Sequence, residues 1–265
     1  MTELPVIHTR GYGINKRNFI KSLIPTKLKQ LSKDVLGITA VYENMSAMQK
    51  RIDQLEERLC ESNDATYERS KTRWRDAAPT TCLTWSKSIG GDAFILKAAS
   101  YNAFGNEKAI LEIGPGYGRL LEGILKQDMP FSNYVGIDIS AKNIKYLKEK
   151  FTKPRVNFLC DDVETASLSD KFDVVLSSLV LKHLFPSFEK ALNNISRYLN
   201  PGCMVLFDLI EGNKRYFEGD GVTYIRHYAR QEVLEILERA SLHLLTFDSV
   251  QHDPDHLRLL VVAKK

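Results

Sequence analysis

The stretch Leu111-Glu112-Ile113-Gly114-Pro115-Gly116-Tyr117-Gly118-Arg119-Leu120 holds the densest chemistry in the chain. It reads as a strand that runs through a glycine turn into a helix. Glycines permit positive φ and let backbone approach a ligand with no Cβ in the way. In open α/β sheets the ligand lies beyond the carboxyl ends of the strands, where this turn falls. The spacing is Gly-x-Gly-x-Gly, whereas a dinucleotide fingerprint wants Gly-x-Gly-x-x-Gly, and its last place is taken by Arg119. Glu112 discriminates further, because an acid there repels a pyrophosphate but suits the ammonium of an amino acid. Asp138 closes a second strand, 20 residues after Gly118, placed to accept both hydroxyls of a ribose. Asp161 and Asp162 close a third, where an adenine amino group could donate to a carboxylate. Structural roles compete with each of these: a plain strand-end charge for Glu112, a helix cap for Asp138, and a solvated loop for the acid pair.

Such residues need a frame to bring them together. Strand-like runs occur at Ala109–Ile113, Tyr134–Asp138, Val156–Leu159, Phe172–Ser177 and Met204–Leu209. Helical stretches such as Arg119–Lys126, Ala141–Phe151 and Phe188–Leu199 lie between several of them. Strands alternating with helices predict a mostly parallel sheet covered on both faces. The end differs: a helix at Arg230–Ala240 precedes two strands, His243–Asp248 and Leu257–Ala263, around the turn Asp253-Pro254-Asp255. That hairpin makes the last strand antiparallel to the rest.

Taken together, the segments from Ala109 to Lys265 resemble the class I, Rossmann-like, S-adenosylmethionine-dependent methyltransferase family. The resemblance implies S-adenosyl-L-methionine as cofactor. It also implies a seven-stranded sheet of order 3-2-1-4-5-7-6 with an antiparallel seventh strand. By the same resemblance Glu112, Gly114, Gly116 and Gly118 line the methionine part of the cofactor. Asp138 resembles the ribose-binding acid, and Ile139 lies beside the adenine. Asp162, rather than Asp161, matches the adenine-contacting acid; Val163 offers a backbone amide there, and Ser177 lies under the methionine end.

After the fourth strand the chain reads Ser177-Ser178-Leu179-Val180-Leu181-Lys182-His183-Leu184. It lacks the Asn/Asp-Pro-Pro-Tyr/Phe that many base-methylating members carry, and is similar to the small-molecule members, which often have a His there. The resemblance therefore offers His183 as general base, with a structural histidine as the competing role; an imidazole titrates near neutrality. Tyr224-Ile225-Arg226-His227-Tyr228 resembles the segment that folds over the acceptor. It offers Arg226 as a clamp for an anionic acceptor and His227 as an alternative base, against simple packing and capping. Trp85 and Lys87 are expected to help close the cofactor pocket. The expected activity is O-methylation of a small hydroxyl acceptor, such as a sugar or a secondary metabolite. A protein or lipid methyltransferase is the other enzymatic reading, and a non-catalytic scaffold that kept the cofactor fold is the third.

Charge is unevenly spread over the 265 residues. Residues 1–75 carry 14 Lys/Arg against 9 Asp/Glu, and residues 76–265 carry 23 against 24. A near-neutral catalytic part argues against a nucleic-acid substrate. Residues 1–76 are expected to form a basic, helical extension and 77–265 the methyltransferase domain, with a polar hinge over Glu61–Asp76. Between Lys27 and Cys60 apolar residues recur in steps of three and four, the pattern of an amphipathic helix with a coiled-coil-like seam. Residues 27–60 could thus pair in a homodimer or dock on their own domain. No apolar run is long enough to span a membrane, and Met1–Arg10 lacks the apolar heart of a signal peptide, so the expected compartment is the cytoplasm. The four cysteines are scattered, and no set of residues has metal-ligand spacing.

Overall fold

The computed structural model describes residues 35–86, 91–253 and 256–265 of the chain. Contact density divides the protein into one unit ending at Ser62 and a second, Asn63–Lys265. The first helix, α1 (Val35–Arg75), leaves Val41, Tyr42, Met48 and Ile52 exposed in the first unit. The second unit carries the sheet.

Strand β1 (Ala109–Ile113) is central, with β2 (Asn133–Asp138) parallel on one side and β4 (Phe172–Ser177) parallel on the other. Next to β2 lies β3 (Val156–Cys160), and next to β4 lies β5 (Leu199–Glu211), both parallel. Strand β9 (His256–Lys264) is antiparallel to β5, and β8 (His243–Asp253) is antiparallel to β9. The resulting order β3-β2-β1-β4-β5-β9-β8 is the expected one, with the closing hairpin in the last two places.

Among the described residues two further strands make nine instead of seven. The hairpin of β6 (Arg215–Phe217) and β7 (Tyr224–Tyr228) joins the sheet where β7 pairs in parallel with Ile210 and Glu211 of β5. Strand β5 outruns the Leu209 end expected for it, and its last backbone groups find partners in β7. The segment expected to fold over the acceptor is therefore a strand.

Side chains alternate across the sheet, so each strand feeds two cores. Leu111, Val135, Val175, Val205 and Phe207 face one layer, which α6 (Glu189–Ser196) and α7 (Arg230–Arg239) cover with Ile195 and Ile236. Ile110, Tyr134, Val174 and Leu206 face the other, covered through Ile95, Leu120 and Leu147 by α3 (Asp92–Ser100), α4 (Arg119–Lys126) and α5 (Ala141–Lys150). Each such side chain stabilises the fold by roughly 1.5–3 kcal/mol on burial. Burial on both faces explains why these strands read as nearly unbroken apolar runs.

The stretch expected as a polar hinge is helical, since α1 continues to Arg75. Tyr67, Ser70, Lys71 and Trp74 recur there in steps of three and four and line one cavity wall. Aromatic rings with polar tips and a lysine stem supply apolar surface that a hydropathy reading misses. After it comes α2 (Pro79–Ser86), with Pro79 at its first position, where no N–H is needed. Lys87, the side chain of Trp85 and residues 27–34 of the expected amphipathic helix lie outside the described residues. Among the described residues no helix is long and apolar enough to cross a membrane.

Candidate active site

Parallel register brings the strand ends to one edge: Glu112 lies opposite Gly136 and Leu176, and Ile113 opposite Ile137 and Ser177. Beyond that edge is a cavity of about 330 Å³. The turn after β1 enters it with Gly114 at φ 66° and Gly116 at φ 58°, conformations that L side chains rarely adopt. A Cβ on Gly114 would lie 2.5 Å from Val180, so this glycine lets the β1 and β4 turns close on each other. Gly116 is the open one, with Cys82 no nearer than 3.6 Å to a Cβ, and its N–H donates to Asp138 Oδ2 at 3.0 Å. Gly118, at φ 90°, is a packing residue: a Cβ there would stand 2.4 Å from the Phe151 ring.

Three of the acids that line the cavity were expected to hold the cofactor. Glu112 is buried, and Tyr134 donates its hydroxyl to it. Burial pushes its carboxyl up to about 7, against the pull of the Tyr134 hydroxyl and Arg119. Asp138 accepts from Ser140 N at 2.8 Å, Gly116 N at 3.0 Å and Asn143 Nδ2 at 3.4 Å. Burial raises its pKa too, although these donors oppose the shift. The Asn143 Oδ1 on the same wall is buried without a partner. Helix capping at α5 falls to Ser140, whose Oγ accepts from Asn143 N at 3.2 Å, and not to Asp138.

The third acid, Asp162, is held by Lys71, whose ammonium also pairs with Glu164 at 2.6 Å. Tyr67 donates to Glu164 as well. Burial disfavours the Lys71 charge, but hydrogen bonds to Asp162, Glu164 and Tyr67 outweigh it and raise the pKa. Asp162 Oδ1 further accepts from Glu164 N at 3.0 Å. Ile139 and Val163 line the cavity beside these groups.

The β4 turn forms the opposite wall. Leu179 sits at φ 67°, a strained conformation for a leucine, and its N–H donates to Asp208 Oδ1 at 3.0 Å. Asp208, buried on β5, also accepts from Ser178 Oγ and from Arg258 Nε at 2.9 Å. Burial alone would raise its pKa, yet Arg258 and the Ser178 and Leu179 donors hold it below the ordinary carboxylate range. Arg119 completes the cluster by donating to Ser178 Oγ at 2.6 Å.

His183 ends the short 3₁₀ turn Leu181–His183 and is buried against Trp74, with ring centroids 4.4 Å apart. Its Nδ1 lies 2.8 Å from Tyr224 O. A carbonyl only accepts, so Nδ1 carries the proton and Nε2 the lone pair. Burial, reinforced by Lys182, pushes its pKa well below the usual value, so the ring is neutral at physiological pH.

Eight of the twelve expected site residues thus meet at one cavity: Glu112, Gly114, Gly116, Asp138, Ile139, Asp162, Val163 and His183. Four do not line it. Gly118 packs on Phe151, and Ser177 is buried with Oγ 3.5 Å from Ile113 O. Arg226 donates to Pro186 O and pairs with Glu232, joining the β7 strand to α7. His227 is half-buried against Gly212 and Tyr216, away from the cavity wall. Among the cavity residues not anticipated are Tyr67, Lys71, Trp74 and Lys182. Their helical spacing was the only available signal for the first three; Lys182 gave none.

Residues 111–207 match a family model described as a methyltransferase domain. A malonyl-(acyl-carrier protein) O-methyltransferase of Priestia megaterium is 31% identical over 124 residues, 47% of this chain and 44% of that protein. A fatty-acid O-methyltransferase of Mycolicibacterium smegmatis is 29% identical over 101 residues, 38% of this chain and 36% of that protein. The matched stretches thus span less than half the length of these curated relatives. Among solved structures, the 1,6-didemethyltoxoflavin-N1-methyltransferase of Burkholderia thailandensis, with bound 1,6-didemethyltoxoflavin and S-adenosylhomocysteine, superposes with a TM-score of 0.57. It shares 18% identity over 80% of this chain and 89% of that one. Residues 111–207 are thus similar to methyltransferase domains, and the chain has the Rossmann-like class I fold seen in S-adenosylmethionine-dependent methyltransferases.

Proposed function

We propose that this protein transfers the methyl group of S-adenosyl-L-methionine to an oxygen atom of a small-molecule or lipid acceptor. The observation that carries the reading is Glu112, a buried carboxylate at the mouth of the glycine turn, in one cavity with Asp138 and Asp162. A buried acid that desolvation raises in spite of a tyrosine hydroxyl and the field of Arg119 is suited to a further cation. The ammonium of the cofactor's amino-acid end is such a cation. Asp138, with Asn143 Oδ1 beside it, suits the ribose hydroxyls, and Asp162 suits the adenine amino group, sharing its charge with Lys71. Arg119 suits the amino-acid carboxylate. When bound, the cofactor supplies an electrophilic methyl on a sulfonium.

The chain itself aligns the acceptor and excludes water, from which much of the rate of such a displacement comes. For a hydroxyl acceptor a proton must leave, and His183 Nε2 has the lone pair to take it. Its lowered pKa shifts the acid limb of the rate below the pH 6–7 expected of an ordinary histidine. Transfer to oxygen is supported by the two relatives named as O-methyltransferases, and the apolar Leu179, Val180, Leu184 and Phe185 of the wall fit an acyl or lipid-like body better than a sugar. Residues 27–60 are proposed to pair between two chains, in keeping with exposed Val41, Tyr42, Met48 and Ile52. The test is transfer of label from methyl-labelled S-adenosylmethionine to a lipid and small-metabolite extract, read by mass. Labelled product that disappears in Asp138→Ala supports the reading; label confined to water as methanol, or none, contradicts it.

A further inference from the structure

Arg119 opens α4 directly after the glycine turn and lines the cavity together with Glu112, Ser178 and Leu179. Behind Ser178 stands the buried Asp208 of β5, which two cations meet in different ways. Arg258, buried on β9, pairs with it directly, Nε to Oδ1 at 2.9 Å. Arg119 reaches it through a hydroxyl: its Nη2 donates to Ser178 Oγ at 2.6 Å, and Ser178 Oγ donates to Asp208 Oδ2. Leu179 N donates to Asp208 Oδ1 at 3.0 Å and so pins the residue next to the serine. Leu179 is at φ 67°, a strained conformation for a leucine that persists only where its surroundings over-determine it. A contact ion pair with Asp208 would tie the Arg119 guanidinium to a fixed, buried carboxylate, and an incoming anion would have to displace it. The intervening serine instead orients the planar fork and leaves its ionic charge for the cavity.

We propose that Ser178 and Asp208 are positioning residues of this site, acting through Arg119 by setting its guanidinium for the amino-acid carboxylate of S-adenosyl-L-methionine. This rests on the methyltransferase reading above. Glu112 lies near the end of β1 and Arg119 starts α4, so the glycine turn brings an acid and a guanidinium into the same cavity. An α-amino acid carries its ammonium and its carboxylate on one carbon, and this pair of opposite charges answers both. A guanidinium recognises a carboxylate best when the plane of its fork is already fixed. The serine hydroxyl fixes that plane, and Asp208 fixes the serine. Arg258 keeps Asp208 ionised within the core, so the serine proton stays turned toward the acid and its lone pair toward Arg119.

The test is calorimetry with two probes, S-adenosylhomocysteine and methylthioadenosine, which share the adenosine and the thioether and differ in the amino-acid end. The wild type should bind S-adenosylhomocysteine roughly 10–100-fold tighter, as for hydrogen bonds to charged groups. Ser178→Ala should weaken S-adenosylhomocysteine about 10-fold and leave methylthioadenosine unchanged. Ser178→Thr, which keeps the hydroxyl, should restore the preference. Arg119→Met should lose more than Ser178→Ala, and adding Ser178→Ala to it should change nothing further, because the serine acts only through the arginine. Asp208→Asn should lower the preference as Ser178→Ala does. Asp208→Asn combined with Arg258→Met, which also removes the stranded cation, serves for the same measurement should the single variant fail to fold. Equal binding of the two probes by the wild type overturns the proposal, as does a full preference in Ser178→Ala or in the folded Asp208 variant. Equal losses of both probes in Ser178→Ala would make the serine a packing residue, and additive losses in the Arg119 and Ser178 double variant would detach it from the arginine; either result overturns the proposal. Failure of the wild type to bind either probe is a different outcome, which brings down the methyltransferase reading and this proposal with it.

Discussion

Replacing Glu112 by Gln should make the cofactor-free protein more stable while weakening cofactor binding. The carboxyl is 2% exposed and is pushed from an ordinary carboxylate value up to about 7. A raised pKa means that the folded state keeps a proton which the unfolded state releases. The contribution of Glu112 is then complete below about pH 4.3, and is lost as pH rises through 7. By pH 8 the ionised side chain costs the apo protein about 3 kcal/mol relative to a non-titrating isostere. Gln keeps an oxygen to accept the Tyr134 hydroxyl, so the substitution removes charge and little else. Urea unfolding between pH 5 and 8 reads the effect. Wild type and variant should diverge progressively above pH 5, with the variant more stable at pH 8. Asp138, also raised by burial, acts in the same direction in both proteins and cancels in the difference. Calorimetry should show S-adenosylhomocysteine binding weakened in the variant, since the ligand ammonium has lost its counter-charge. Parallel stability curves with unchanged binding would refute the reasoning and leave Glu112 a strand-end charge.

Arg258→Met leaves the Asp208 carboxylate buried without its counter-ion, which costs about 3–5 kcal/mol; a thermal midpoint within a degree of wild type would contradict this. Because Asp208 is held below the ordinary range, its stabilisation is present above the unfolded carboxylate value and lost as pH falls, so the variant should show a shallower acid slope. His183→Gln should stay within a few-fold of wild type on a carboxylate acceptor, and lose about 10²–10⁴-fold on a hydroxyl acceptor; equal losses on both would make the histidine a packing residue. Light scattering of the full-length protein at tens of micromolar should show a dimer, and a monomer would rule out pairing through residues 27–60.

Strands β1 and β4 and helix α4 were legible to the residue, because parallel strands buried on both faces are short apolar runs closed by turn signals. The cofactor wall was legible for a related reason: Glu112, Asp138 and Asp162 sit at strand ends, whose order in the chain is their order in space apart from the β4 crossover. The opposite wall was not. Lys182 and His183 are adjacent in sequence, and periodicity cannot tell which side chain faces a cavity. Arg226 and His227 looked chemical, but β7 pairs with β5 and β6 and turns both away from the cavity. Tyr67, Lys71 and Trp74 lie far from the glycine turn in sequence, and only tertiary packing brings Lys71 onto Asp162 and Glu164.

The central claim is that this cavity holds S-adenosylmethionine through its strand-end acids. Calorimetric titration of the wild type and Asp138→Ala with S-adenosylhomocysteine, with NADH in a parallel cell, tests it most directly. The account predicts micromolar binding of S-adenosylhomocysteine, weakened by about 1.5–3 kcal/mol in Asp138→Ala as for lost hydrogen bonds to a charged group, and no heat from NADH. Binding of NADH with indifference to S-adenosylhomocysteine would contradict it.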